Sequence, residues 1–146
     1  MSGRALVWLG VHGVITVAPA RILVLRRSAD ASYAPGLWDL PGGHLSAPNE
    51  DLLDCLTREV CEETGLQIAV HELLGVHKAA GPFLQLFYRC CVGQNCGVTK
   101  LNPEHAEARW VTLEEIESFN LIPYLTFCLS EGYLARSIDS AAGDDQ

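Results

Sequence analysis

Three carboxylates, Glu59, Glu62 and Glu63, crowd the end of one expected helix, two to six residues before the helix-stopping Gly65. Anions there face the negative pole of the helix macrodipole. They also repel one another at i,i+3 and i,i+4, by roughly a few tenths of a kcal/mol per pair. Arg58 is the only cation nearby in sequence. At about 100° per residue, Glu59 and Glu63 fall within about 40° of each other, on the stripe that carries Leu52 and Leu56. Carboxylates on a half-apolar stripe at the wrong pole call for a cation. A hard divalent metal bound through oxygen supplies one.

The element that must position them lies in residues 40–66, LPGGHLSAPNEDLLDCLTREVCEETGL. It opens with a Pro-Gly-Gly turn and continues into a helix of about four turns by its apolar spacing. Asn49 is the expected N-cap, with Glu50 and Asp51 in the first turn. Leu52, Leu53, Leu56 and Val60 supply the expected buried face, and Gly65 ends the helix. Gly42 and Gly43 allow backbone to approach a ligand closely.

These residues resemble the signature of the Nudix (MutT-type) hydrolases. The run Arg58-Glu59-Val60-Cys61-Glu62-Glu63-Thr64-Gly65-Leu66 fits R-E-U-x-E-E-x-G-U at every defined position, and Glu50 stands eight residues before Arg58 as that signature requires. Gly43 precedes Glu50 by seven residues where the pattern has six, which reads as one extra residue in the 46–49 loop. Many relatives also carry a glutamate where this chain has Ser46. The resemblance implies an α+β Nudix fold, a mixed β-sheet core sandwiched between α-helices.

It also implies roles. Glu59 and Glu63 correspond to metal ligands, with Glu62 completing the cluster or binding a second ion, and one glutamate serves as general base. Mg2+ is the expected cofactor and Mn2+ its substitute, since magnesium takes a few carboxylates and bridges to substrate phosphates. Arg58 is expected to hold a helix glutamate by a charge-assisted contact; the plainer alternative is a surface arginine. Glu50 either sits one layer out from the metal or merely favours the helix N-terminus. Gly42, Gly43 and His44 form the expected substrate-binding turn. Some relatives place a catalytic or metal-binding glutamate in the loop before the strand that here contains Trp110, so Glu104 is a candidate and Glu107 competes with it. His105 reads as a loop residue. Trp38, Phe83, Phe87 and Tyr88 are stacking candidates, although aromatics in such segments are commonly core.

With 146 residues, the chain is expected to form one domain over 1–137, followed by a flexible acidic tail at 138–146. Its formal net charge of -8 argues against nucleic-acid or anionic-membrane partners. The expected partner is a small nucleotide, and a homodimer is allowed. The six cysteines contain no C-x-x-C pair, and a zinc set of Cys90, Cys91, Cys96 and His105 has irregular spacing. Without a signal-peptide pattern or a long apolar run, the cytoplasm is the expected location.

Elsewhere, residues 4–17 and 21–27 read as strands, 67–80 and 83–92 as an antiparallel pair around Gly81-Pro82, and 108–112 as a short strand. Thr112 and Glu115 resemble a capping box, and 122–137 reads as one final helix. The expected activity is metal-dependent pyrophosphohydrolysis of a nucleoside triphosphate or modified nucleotide. The alternatives are an ADP-ribose or nucleotide-sugar pyrophosphatase, weakly marked by Pro82 sixteen residues after Leu66, and a non-catalytic nucleotide-binding module.

Overall fold

The computed structural model describes residues 3–93 and 97–144. Among the described residues, seven strands form one sheet: β1 (Trp8–Val17), β2 (Arg21–Arg27), β3 (Trp38–Asp39), β4 (Gly42–His44), β5 (Ile68–His77), β6 (Phe83–Val92) and β7 (His105–Val111). The main path runs β3-β2-β1-β6-β5, with β4 pairing to β1 and β7 to β2. β1 and β6 are parallel, and the other pairs are antiparallel. The sheet is therefore mixed, as expected.

Alternation along the central strands makes two cores. Val11, Ile15, Leu23 and Leu25 pack with Cys55, Leu56 and Val60 of α1 (Leu52–Thr64). Val14, Ile22 and Val24 cluster instead with residues of α2 (Leu113–Ile116), α3 (Pro123–Ser130) and α4 (Tyr133–Asp144). Strands covered on both faces need apolar residues at both parities, which explains the near-continuous apolar run of β1. Each fully buried Leu or Val contributes roughly 1.5–3 kcal/mol. None of the described helices is long and apolar enough to cross a membrane.

Several boundaries differ from those expected. Asp51, not Asn49, caps α1, its carboxylate accepting from Leu53 N–H at 2.9 Å. Asn49 lies in a turn closed by Glu50 N–H to Ala47 O at 3.1 Å, which leaves Glu50 outside the helix. Leu53 is 40% exposed and does not join the buried face. The single final helix is two, because Gly132 adopts φ 78°, a left-handed conformation that suits glycine and ends α3. α4 then runs through Asp144, across much of the stretch expected to fray, with Ile138 packed on the core. The Thr112–Glu115 capping box is present.

Candidate functional site

The αL cap at Gly65, whose N–H bonds Cys61 O at 2.8 Å, stops α1 immediately after its acidic turn. One turn apart on one stripe, Glu59 and Glu63 both line a cavity of about 1020 Å³ that also receives Asp39 and Glu104. β4 brings the glycines to them. Gly42 N–H donates to Glu63 Oε1 at 2.8 Å. Gly43 accommodates Glu59: a Cβ there would lie 2.6 Å from Glu59 Oε2. Glycine at that position is required by close approach. Gly42, Gly43 and His44 all border the cavity.

Arg58 grips Glu50 with two nitrogens, at 2.9 and 3.0 Å, and reaches Glu59 at 3.3 Å and Glu62 at 3.2 Å. The structure thus places Arg58 against two helix glutamates, with Glu50 tied to the same guanidinium. That contact holds the Glu50 carboxyl below its usual range. Glu62 does not reach the cavity. It sits on Arg58's stripe at i,i+4 and its side chain is 56% exposed, so the structure does not bring together the expected Glu59, Glu62 and Glu63 triad.

Behind the carboxylates lies a buried polar set that local patterns did not expose. His105 opens β7 rather than lying in a loop, and its Nδ1 stands 2.9 Å from Asn102 Oδ1 and 3.6 Å from Glu63 Oε2. Asp39 accepts a short hydrogen bond from Tyr124 Oη and lies 3.4 Å from Arg27 Nη1. Burial pushes the Glu63 carboxyl up to about 9; the Gly42 bond opposes the rise, and Asp39, Glu59 and Glu104 add to it. Burial also raises Glu59, with Arg58 opposing and Glu62 and Glu104 adding repulsion. Asp39 is raised by burial too, against Tyr124, Arg27 and His105.

Crowded carboxylates that raise one another's pKa form a hard-oxygen donor set, and a divalent cation fits that chemistry. Among the described residues no three His, Cys, Asp or Glu side chains form a ready-made cage, so the fit lies in donor type and charge. Glu107 is drawn away, pairing with Arg26 and Arg109. Trp38 is buried and stacks on Phe119, Phe87 is buried, and Phe83 borders the cavity. Of the expected zinc set, Cys96 is outside the described residues; the described members form no metal-ligating group, Cys90 being core and Cys91 Sγ lying 3.1 Å from His71 Nε2.

The model of the NUDIX domain family matches residues 8–126. A MutT-like protein of Streptomyces ambofaciens is 31% identical over 92% of this chain and 77% of its own length. The m7GpppN-mRNA hydrolase NUDT17 of Bos taurus is 37% identical over 51% of this chain, which spans only 26% of that longer protein. The crystal structure of the MutT protein from Methanosarcina mazei Go1 superposes with a TM-score of 0.73 at 29% identity, covering 92% of this chain and 97% of that one.

Proposed function

The chain belongs to the Nudix (MutT-like) hydrolase family, and from that premise we propose that it hydrolyses a phosphoanhydride bond of a small nucleotide, a nucleoside triphosphate or modified nucleotide, with a divalent cation. Magnesium is the preferred ion and manganese its substitute. One observation carries the reading: Glu59 and Glu63 are held against Gly43 and Gly42 in a cavity that Glu104 also enters. When bound, the cation neutralises phosphate and carboxylate charge and favours attack by water at phosphorus.

Glu59 and Glu63 are the residues that would hold it. Gly42 N–H fixes Glu63 Oε1, and Arg58 steadies Glu59 Oε1. Glu62 keeps Arg58 in place from the solvent side. Glu104 lines the same cavity close enough to raise the Glu59 and Glu63 carboxyls, and it is the residue that would take the proton from the attacking water. Pro82 lies in the turn between β5 and β6, where a proline has a structural reason to stand, and its carbonyl accepts Trp8 N–H at 2.6 Å; an ADP-ribose or nucleotide-sugar substrate is therefore the second reading, decided by the substrate panel. The test is a panel of nucleoside triphosphates, nucleotide sugars, ADP-ribose and dinucleoside polyphosphates with magnesium or manganese, products resolved by chromatography. Metal-dependent release of monophosphate with pyrophosphate from a triphosphate supports the reading; a nucleoside monophosphate with a sugar phosphate would move the substrate to the ADP-ribose or nucleotide-sugar class. No turnover of any member would favour a module that binds nucleotide without cleaving it.

A further inference from the structure

Parallel pairing of β1 with β6 sets Gly10 opposite Gln85, and β4 sets His44 on the other side of Gly10. Gly10 offers no side chain, and a Cβ there would collide with Gln85 Oε1. The Gln85 carboxamide therefore crosses the strand and meets His12 Nε2 at 2.5 Å. The His12 ring is 5% exposed, between Phe87 at 5.5 Å and Tyr124 at 4.4 Å. Burial lowers its pKa to about 4, the Gln85 bond opposing and His44 assisting, so the imidazole is neutral near pH 7. Its Nδ1 is buried with no hydrogen-bond partner. A bare ring nitrogen is tolerated there better than an orphaned N–H, which puts the proton on Nε2, donating to Gln85 Oε1. With that oxygen engaged, the Gln85 NH2 is the amide's free end. It makes no other hydrogen bond among the described residues, in a half-buried side chain that lines the cavity. Phe83, two residues earlier and so on the same face of β6, is 45% exposed and borders the same space.

We infer that Gln85 is a specificity-determining residue: its NH2, left unpaired once His12 holds the amide oxygen, selects nucleotides whose base carries a carbonyl oxygen where a competitor carries an amino group. Phe83 supplies an aromatic face for the base to stack on, and the amide reads the edge. His12 is a positioning residue, acting only through Gln85. The inference rests on the nucleotide reading above. It adds which bases the cavity takes: guanine over adenine, and uracil over cytosine.

The experiment measures kcat and KM for GTP, ATP, UTP and CTP with magnesium, and in parallel binding of the four monophosphates by NMR titration. Wild type should prefer GTP over ATP and UTP over CTP by on the order of tenfold, mainly in KM, as expected for one unpaired polar contact. Gln85→Leu should bring both ratios close to one. Gln85→Glu, which keeps the acceptor toward His12 but turns an acceptor outward, should tilt them toward ATP and CTP. His12→Phe should weaken the preference by freeing the amide to turn. Equal binding within both pairs for wild type, or ratios unmoved by Gln85→Leu, would overturn the inference while leaving hydrolysis intact. Monophosphates sorted by base without any triphosphate turnover would instead support it and remove the hydrolase reading. Failure to bind any of the four overturns it.

Discussion

At the scale of single residues, the cavity separates groups that bear charge from groups that aim it. Glu63 is nearly buried, with one oxygen on Gly42 N–H and the other toward His105. Glu63→Gln keeps the size and removes the charge. Metal-dependent turnover should fall by roughly two or more orders of magnitude, with an unchanged circular dichroism spectrum. Near-normal rates would show that the metal assignment is misplaced. His12 offers a separate handle on pH. Its pKa is lowered from 6.5 to about 4 by burial, so the unfolded chain takes up a proton that the folded one refuses. The stability this site contributes is complete above pH 6.5 and is lost as pH falls toward 4, by about 3 kcal/mol at the limit. His12→Phe keeps an aromatic ring between Phe87 and Tyr124 and should flatten this part of the profile. Urea midpoints measured from pH 4 to 7 for both proteins check it, and parallel curves would show that His12 does not carry the effect.

At the scale of elements, α1 and the turn before it work as a unit. The extra residue before Glu50 is absorbed in an exposed stretch: Ser46 is exposed, while the Ala47–Glu50 hydrogen bond and the Asp51 cap follow it. Deleting Ser46 should leave a folded protein with activity within a few-fold of wild type, because neither the cap nor the turn loses a partner. A folded variant with no activity would mean that the longer loop is needed by the site. The same stretch shows what a sequence can reveal. Glu59, Glu63, Gly42 and Gly43 announce themselves because their spacing is local and helical periodicity places two of them together. The Gly132 break had a local signal too, a glycine within the expected helix, but the apolar spacing on either side masked it. His12 and Gln85 are 73 positions apart, and they meet only because β1 and β6 pair in parallel across an unsubstituted Gly10. Asp39 and Tyr124 are similarly remote, joined by a two-residue strand and a later helix. No local period encodes such pairs, and His105 read as a loop residue because the strand that carries it begins earlier than its apolar run.

At the scale of the molecule, a chain of net charge -8 that directs Asp39, Glu59, Glu63 and Glu104 into one cavity is built against its own electrostatics. Burial and mutual repulsion raise Glu59 and Glu63, which means that these carboxyls cost the folded chain stability at neutral pH relative to the unfolded chain. A polyphosphate would add to that cost unless cations entered with it. A cation bound by the folded carboxylates alone stabilises the native state by RT ln(1 + [L]/Kd), about 2.7 kcal/mol at a hundredfold excess over Kd. For a chain of this size that corresponds to a Tm increase of roughly 6–12 °C. Scanning calorimetry in magnesium chloride, against potassium chloride at equal ionic strength with EDTA, separates specific binding from the screening of surface charge. The wild-type protein should gain most of this shift, and Glu63→Gln should lose most of the gain while melting higher than wild type in EDTA, since it no longer buries an ionisable group. A Tm that is the same in magnesium, manganese and EDTA would mean that these carboxylates do not hold the metal, and the catalytic reading would have to move to other residues of the cavity.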